Sequence, residues 1–598
     1  MNHSLQAHCF ENAVVQFKPI VASVGLLVLL AACNQSGQTT LDPRTLKAMN
    51  PFSIRTNALR PASTSTPVFS NSVPAKTNGN MDVQTALASA PIIKKLEVAQ
   101  THVIPAEGKS WAGSKLAVYN LHLVGNREAL VLVDLVSNPS PVISVLEVLV
   151  NGVKLGEVAL NPAKGLPKTE GYGPAYSTTA SWATLQWAWV KPGLEVRVRT
   201  ADGQYSATQA IRVGAPSQFT MLTLPFYLFG QNDTAVPAQP ATANQASTDE
   251  YFAKHPFAVL KITNHPAQKI VWPYIIAAPR NGHPAQKMDR LAANDNIHDV
   301  MFDVGDTLRA IRNANGDDSI NNQYYAPLLT ATPAGKYISA GGGRGGGNVG
   351  TGDDAYAGVF LHEAGHAFGM PHANDAFVEG TYPYVGGSLK GSSWGFDQVR
   401  NRFMPTFVPS IAQSFKNCAN GDFPMRRQFD EQQRCIKQDP MQSGDTDQVP
   451  TDKYTMFSDF SASFIQQYME GTTTLTDGKR TYNGGRIYAT TGSHTGYARW
   501  DSLISNFVPV ETKTMQGGLF GLDNNLAIQR DVPVRTVIIT ANLAGITETT
   551  GDGKLGYADT IKYNPVTTQI YEPIRYVGNL RRLIDPSDAT NRASRPIA

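Results

Sequence analysis

Short apolar and β-branched runs, separated by turn residues, dominate the pattern of the chain between residues 92 and 213. The clearest alternating runs lie at residues 130–135, 145–150 and 194–199. The last two lead into Asn-Gly and Asp-Gly pairs, which are typical of tight hairpin turns. The pattern therefore predicts an immunoglobulin-like β-sandwich over residues 91–215, with a role in interaction or positioning.

The pattern changes after this β-rich part. A stretch rich in Gln, Asn, Thr, Ala and Pro at residues 231–248 predicts a linker over residues 216–255. Further along, residues 303–312 predict a helix and residues 324–338 predict mostly strand and turn. Strand-like runs after residue 473, such as residues 532–540, predict a second β-rich domain that extends to residue 598.

Residues 1–33 predict an export signal peptide. An apolar run at residues 21–32 follows Lys18 and is too short to span a bilayer. It ends in Leu-Ala-Ala-Cys33, which matches a bacterial lipobox and makes Cys33 a candidate for lipidation. The alternative is an ordinary signal peptide that happens to end before a cysteine. We therefore expect a secreted protein, or alternatively an outer-membrane lipoprotein that meets the membrane only through Cys33.

Residues 34–90 are rich in Ser, Thr, Asn, Pro and Ala and predict a flexible tether. The formal net charge of the chain is only +3, with both signs scattered, so we expect no nucleic-acid partner. Of the four cysteines, Cys9 and Cys33 fall in the signal region. Cys418 and Cys435 remain, and in an exported protein they predict one disulfide, with two buried free thiols as the alternative.

Residues 362–372 contain the full ligand pattern of a catalytic zinc site. His362 and His366 are one helical turn apart, so both imidazoles leave the same face and can share one metal ion. Glu363 points to a neighbouring face and can serve as general base without binding the metal. Gly369 permits a left-handed turn at the helix end, which brings His372 in as the third ligand. Three protein ligands leave one position open, and the spacing is the long metzincin form of HExxH.

A bare HExxH sequence arises by chance, so the surroundings of the motif matter. The additional Gly369 and His372 make a chance match much rarer. Asp353 and Asp354 are candidates to cap the helix, and residues 359–361 supply its apolar face. Together these features favour a real zinc site.

Two further segments bear on this site. Residues 341–348 are dense in glycine, and three interpretations are open: a phosphate cradle, a loop that lines the substrate cleft, or a flexible connector. No Gly-Lys-Ser/Thr follows, which disfavours the phosphate cradle, and the cleft loop is preferred. Residues 550–554 faintly resemble a calcium loop, but they lack its acidic spacing and are interpreted as a turn.

Metzincins carry a methionine turn beneath the metal. Met441, in a turn bounded by Pro440 and Gly444, is the best match to such a turn. Met456 is the rival, although it begins an apolar-periodic stretch that predicts a helix, and an ordinary loop methionine is the remaining alternative.

The chain resembles the StcE/TagA family of secreted bacterial zinc metalloproteases. The similar segments are residues 98–105, 125–134, 173–179, 393–397, 402–403, 439–444 and 532–534, in addition to the zinc motif. These matches occur in the family order and run, with gaps, from about residue 92 to 540. The resemblance implies a multidomain α+β protein with a metzincin-type protease domain over residues 256–472, flanked by the two β-rich domains.

The resemblance also implies functional roles. It assigns zinc to His362, His366 and His372, the general base to Glu363 and the methionine turn to Met441. It implies cleavage of mucin-type, O-glycosylated proteins, export through type II secretion machinery and, as in some relatives, a dedicated secretion chaperone. One departure is Ala373, where a mucin-cleaving relative has tyrosine, which puts the same glycan or peptide preference in doubt.

Two rival functions remain open at this point. One is a glycoprotein-binding adhesin with a vestigial zinc domain, although a pure binder has no use for Glu363. The other is a metzincin that acts on unglycosylated surface proteins.

Overall fold

The computed structural model describes residues 90–510, except for short gaps at 112–118, 137–144, 202, 235–241, 278–285, 292–296, 316, 318–319, 333, 420–426 and 490–496. Outside this range it describes five strands, at residues 4–9, 13–16, 52–55, 536–542 and 574–579. Cys33, most of the predicted tether and residues 550–554 lie outside the described residues. The described chain is mostly β-structure with few α-helices.

Strands are the main elements of the described chain up to residue 210. The first three are β1 (Ser4–Cys9), β2 (Ala13–Gln16) and β3 (Phe52–Arg55). They are followed by β4 (Ile93–Ala99), β5 (Val103–Pro105), β6 (Lys109–Trp111), β7 (Tyr119–Leu121), β8 (Ala129–Leu135), β9 (Val145–Val150), β10 (Val153–Ala159), β11 (Lys168–Thr169), β12 (Ser181–Leu185), β13 (Leu194–Arg199) and β14 (Gln209–Ala210).

Two antiparallel sheets of four strands form the region predicted as a β-sandwich. Their strand orders are β12-β8-β4-β5 and β10-β9-β13-β14. Val131 from one sheet and Val148 and Val196 from the other are fully buried in the same apolar cluster. In β13 buried and half-buried residues alternate, as expected for a strand with one face on a core. The two facing sheets fit the predicted sandwich, and its immunoglobulin-like class stays a prediction.

Residues 218–470 contain a further set of strands and most of the α-helices. The strands are β15 (Gln218–Thr223), β16 (Phe226–Leu228), β17 (Val259–Asn264), β18 (Ile270–Trp272), β19 (Ile275–Ala277), β20 (Gln286–Met288), β21 (Asn322–Ala331), β22 (Tyr337–Ser339), β23 (Gly343–Gly346), β24 (Val349–Gly352), β25 (Gly395–Asp397) and β26 (Arg402–Met404). The helices are α1 (Gln245–Lys254), α2 (Ile297–Asn315), α3 (Gly358–Ala367), α4 (Ala373–Glu379), α5 (Phe415–Ala419) and α6 (Asp459–Glu470).

A mixed sheet around β21 forms the frame of this region. One path through the sheet runs β18-β16-β21-β15-β17-β3, while β22 and β24 also pair with β21, and β23 pairs with β24. Alternate residues of β21 enter different cores. Tyr325 contacts Phe360 of α3, whereas Tyr324 belongs to the apolar cluster that contains Val304 of α2. The sheet is therefore covered by α2 on one face and α3 on the other.

The predicted linker over residues 216–255 is wrong in two places. Residues 218–228 form β15 and β16, and β15 lies between β17 and β21 in parallel pairing. Residues 245–254 form α1, in which Tyr251 and Phe252 are fully buried. The apolar runs here are short and lie beside a polar, proline-containing stretch. The composition of the segment therefore did not predict these strands and this helix.

The C-terminal part contains β27 (Thr472–Thr476), β28 (Lys479–Asn483), β29 (Ile487–Ala489), β30 (Tyr497–Asp501), β31 (Asn506–Val510), β32 (Thr536–Asn542) and β33 (Ile574–Asn579). The strand predicted within residues 532–540 is confirmed by β32, and the domain boundary at residue 473 stays a prediction. In the predicted signal segment β1 pairs with β32, and in the predicted tether β3 pairs with β17, which the sequence pattern did not indicate. No helix among the described residues is long and apolar enough to cross a membrane.

Candidate metal centre

The start of α3 differs from the prediction. Ala357 is the N-cap residue and makes no side-chain capping bond. Asp353 instead accepts a hydrogen bond from the backbone N–H of Ala355, and Asp354 accepts one from the hydroxyl of Tyr337. The predicted capping of α3 by these two aspartates is therefore wrong, because each carboxylate is engaged before the helix begins.

The end of α3 turns the chain toward the third histidine. Gly369 has a φ of 98°, the left-handed conformation that glycine adopts without steric cost. Its N–H donates to the carbonyl of His366 at 2.8 Å, and the N–H of Met370 donates to the carbonyl of Gly365 at 3.2 Å. This pair of bonds is a Schellman motif. The redirected chain places His372 as the N-cap residue of α4.

The three predicted histidine ligands come together. One ligand nitrogen from each of His362, His366 and His372 lies within 4.8 Å of the other two. The Nε2 atoms of His362 and His366 are 3.0 Å apart. Two nitrogens that share a tetrahedral zinc ion lie about 3.3 Å apart, given Zn–N bonds of about 2.0–2.1 Å. The geometry of the pair fits a small metal ion.

Hydrogen bonds fix the protonation of both helical ligands. Nδ1 of His362 lies 2.7 Å from the carbonyl oxygen of Pro440, and Nδ1 of His366 lies 2.7 Å from that of Met370. A carbonyl only accepts, so both Nδ1 atoms carry the proton. Burial lowers the pKa of His362 and lowers that of His366 to about 4, which keeps both rings neutral. Two unprotonated Nε2 atoms then face each other, an arrangement that a shared cation stabilises.

Glu363 lies beside the three histidines in a buried position. Its side chain is 5% exposed, and its Oε2 atom has no hydrogen-bond partner among the described residues. Burial raises the pKa of Glu363 to about 8, and the positive charge of Arg344 opposes that rise. A buried carboxyl group with a raised pKa beside a metal site is suited to accepting and returning a proton near neutral pH.

The glycine-dense segment forms a hairpin that lies directly on α3. A Cβ atom on Gly343 would overlap the side chain of Glu363, and one on Gly345 would overlap the Glu363 backbone and approach Cβ of His366 at 2.8 Å. The segment was expected to be a loop that lines the cleft. It is instead the strand β23 and the turn before β24, but the close backbone approach that favoured a cleft position is present.

Met441 lies beneath the helix that carries the ligands. A Cβ atom on Gly365, between His362 and His366, would overlap Sδ of Met441. The rival Met456 belongs to a separate apolar cluster with Leu389. Met441, and not Met456, therefore packs against the helix that carries the ligands, and its role as a methionine turn stays a prediction.

The sequence analysis missed two polar residues in this turn. Asp439 is fully buried and caps the turn by accepting from the N–H of Met441 at 3.0 Å. Burial raises the pKa of Asp439, while its hydrogen bonds act in the opposite direction. Gln442 accepts from the N–H of Asn374 at 2.8 Å, two residues after His372. The position of Asp439 and Gln442 beside Met441 was the one sequence signal that could have indicated a role for them. Their hydrogen-bond partners in other elements lie far away in sequence.

The remaining cysteines of the described chain are joined. Cys418 and Cys435 form a disulfide with a Cα–Cα distance of 6.0 Å, and both residues are buried. The pairing was predicted, and the alternative of two free thiols is wrong.

Three histidines that converge beside a buried glutamate form a site that is suited to metal-dependent hydrolysis. Comparison with known proteins identifies the family. Residues 170–474 match the family model of Peptidase M66. The chain is 36% identical over 509 residues to Dictomallein of Burkholderia pseudomallei (strain 1710b), covering 84% of this chain and 68% of that protein. It is 35% identical over 514 residues to Dictomallein-3 of Dictyostelium discoideum, covering 84% and 79%.

The chain belongs to the peptidase M66 family, whose members are metalloproteases. The resemblance to StcE-like metalloproteases is confirmed at the level of the family. The histidine triad can bind a metal ion.

Proposed function

We propose that this protein is a zinc-dependent endopeptidase of the metzincin type. The observation that carries the proposal is the pair of unprotonated Nε2 atoms of His362 and His366, 3.0 Å apart beside the buried Glu363. With His372 they provide three nitrogen ligands, the set that catalytic zinc sites use when a fourth position stays open.

The residues of the site divide the chemical work. Zinc, when bound, supplies a Lewis acid that polarises the scissile carbonyl and acidifies the attacking water. Glu363 accepts the proton of that water as its oxygen bonds to the carbonyl carbon. Glu363 then returns the proton to the amine as the peptide C–N bond breaks. His362 and His366 stay neutral throughout, because each Nδ1–H is held by a backbone carbonyl.

The sheet beside the site suits a polypeptide substrate. Among the described strands, β23 pairs only with β24, so no described strand hydrogen-bonds its other edge. An open strand edge binds an extended peptide through backbone hydrogen bonds, independent of the peptide's ends. Because β23 lies against Glu363, a peptide on this edge passes the metal site in the middle of its chain. This arrangement supports internal cleavage.

The proposed substrates are O-glycosylated, mucin-type proteins outside the cell. Their support is the resemblance of the flanking segments to the StcE/TagA family. The disulfide between Cys418 and Cys435 fits an exported protein, since disulfides persist in oxidising compartments. Type II secretion machinery, a secretion chaperone and lipidation of Cys33 belong to the same proposal.

Metal removal and a matched pair of substrates test this function. The purified protein is stripped with a chelator, reloaded with Zn²⁺ and incubated with an O-glycoprotein or with the same protein after enzymatic removal of its O-glycans. We expect internal cleavage only with zinc, and much faster cleavage of the glycosylated form. Equal cleavage of both forms would contradict the glycoprotein preference, and chelator-insensitive cleavage would contradict the metal site.

A further inference from the structure

The carboxylate of Asp439 connects two separate elements below the metal site. Its Oδ1 accepts from the N–H of Met441 at 3.0 Å. Its Oδ2 accepts from the N–H of Ser458 at 2.9 Å, the hydroxyl of Ser461 at 2.8 Å and the hydroxyl of Tyr382 at 3.3 Å. The residue is 0% exposed, so these four donors replace water completely.

The two oxygens serve different parts of the fold. Oδ1 holds the methionine turn, whereas Oδ2 holds the first turn of α6, where Ser458 is the N-cap residue. Pro440 follows Asp439, and its carbonyl accepts the Nδ1–H of His362 at 2.7 Å. The carbonyl that orients this ligand therefore lies between the two residues, Asp439 and Met441, that the Oδ1 bond ties together.

We propose that Asp439 is a positioning residue for the metal site, acting on His362 through the Pro440 carbonyl. The inference rests on the proposed function in that the three histidines hold the metal. The carboxylate anchors the turn to α6, the anchored turn fixes the direction of the carbonyl, and the carbonyl holds the imidazole with Nε2 toward His366 and His372. Partners of this kind beyond the direct ligands raise ligand basicity and fix the tautomer.

An asparagine side chain cannot make the four hydrogen bonds that Asp439 makes. All four are donors, and an ionised carboxylate is acceptor-only on both oxygens. An asparagine at this position has one oxygen and one NH₂ group, so its NH₂ must face either Met441 or Ser458. One of those N–H groups then loses its acceptor in a buried site, and either the turn or the start of α6 shifts.

Metal binding measured on the full-length protein tests the proposal. The variant is Asp439→Asn, and the control is Asp501→Asn, another fully buried carboxylate that belongs to β30 and contacts Tyr482. Zinc affinity is measured by competition with a chromogenic chelator, and the ligand geometry by the visible absorption of the Co²⁺-loaded protein. We expect Asp439→Asn to weaken zinc binding about 10- to 100-fold and to change the cobalt spectrum. The control should match the wild type in both.

Wild-type zinc affinity and an unchanged cobalt spectrum in a folded Asp439→Asn protein would overturn the proposal. If that variant does not fold, Ser461→Ala decides, because it keeps the carboxylate and removes one of its hydrogen bonds. A zinc Kd raised about threefold in Ser461→Ala supports the positioning role of Asp439, and a wild-type Kd overturns it. The readout is metal binding, so a wild-type protein that binds zinc and cleaves no peptide contradicts the proposed function without deciding the role of Asp439.

Discussion

Gly365 supports the metal centre through the side chain that it lacks. It lies in α3 between the two helical ligands, where Sδ of Met441 occupies the space of a Cβ atom and Cε of Met370 would lie 3.2 Å from it. Helix propensity alone favours alanine over glycine by about 1 kcal/mol in a helix interior. Packing against Met441 reverses that preference at this position.

The variant Gly365→Ala should therefore destabilise the metal-free protein by about 1–3 kcal/mol through overpacking. Chemical denaturation of the metal-free protein measures the change. Gly305→Ala in α2 is the matched control, because the nearest atom to its Cβ would be Nη1 of Arg309 at 3.8 Å. We expect Gly305→Ala to stabilise by about 0.5–1 kcal/mol. Stabilisation by both variants would show that Met441 does not fill this space.

At the scale of elements, Asn348 in the turn between β23 and β24 ties this hairpin to both α3 and α6. Asn348, with a φ of 66°, lies in that turn, and its N–H donates to the carbonyl of Ala367 at 3.2 Å. Its Oδ1 accepts the hydroxyl of Tyr468 in α6 at 2.5 Å. The ring of Tyr468 is in turn covered by the guanidinium of Arg486, 3.6 Å from the ring centroid. The helix α6 thus fixes the strand that borders the cleft.

Removing this hydroxyl with Tyr468→Phe should weaken peptide binding more than it slows the chemical step. The loss of one such hydrogen bond costs about 1 kcal/mol. If this cost reduces the binding of substrate to the hairpin, it corresponds to roughly a fivefold rise in KM. We expect kcat and zinc content to stay near wild type. Steady-state kinetics on a peptide or protein substrate measures both constants.

Tyr488→Phe is the control for this prediction. The hydroxyl of Tyr488 donates to the carbonyl of Met469 at 3.2 Å, so its loss affects the same helix without touching the hairpin. The control should keep the wild-type KM. A KM that is unchanged in Tyr468→Phe, or raised equally in both variants, would argue against a role of α6 in holding β23.

At the scale of the whole molecule, loops within residues 91–215 make buried polar contacts with later parts of the chain. Glu170 and Lys437 form an ion pair, and their side chains are 1% and 0% exposed. Lys437 lies two residues before Asp439. Arg127 is fully buried and donates to the carbonyls of Phe252 and Phe257 at 3.3 and 3.0 Å. Loops of residues 91–215 are therefore joined in the interior to the segment before Met441 and to the end of α1.

The variant Lys437→Met should destabilise the protein by about 3–5 kcal/mol, because it leaves Glu170 charged and unpaired in the interior. Equilibrium unfolding in urea measures the change. Lys95→Met removes a partner of Glu97 in a pair whose lysine is 57% exposed, and should cost no more than about 1 kcal/mol. Equal effects of the two variants would show that the interior contact between the two regions adds no stability.

The distance in sequence between partners explains what could be predicted. His362, His366 and the left-handed Gly369 follow from spacing within one helix and its end, and the structure brings them together as expected. Three of the four donors to Asp439 lie 19, 22 and 57 residues away, at Ser458, Ser461 and Tyr382, and no local pattern indicates them. The linker prediction failed for the same reason, since the partners of β15 are strands far along the chain.

The central claim is that Glu363 is the general base of a metal-dependent peptidase, and the activity of zinc-loaded Glu363→Gln tests it most directly. The protein is purified with its zinc content measured, beside Glu379→Gln, an exposed glutamate at the end of α4, as control. We predict one zinc ion per chain in both variants, a kcat/KM lowered about 10²- to 10⁴-fold in Glu363→Gln, and wild-type activity in the control. Wild-type cleavage by zinc-loaded Glu363→Gln would contradict the account.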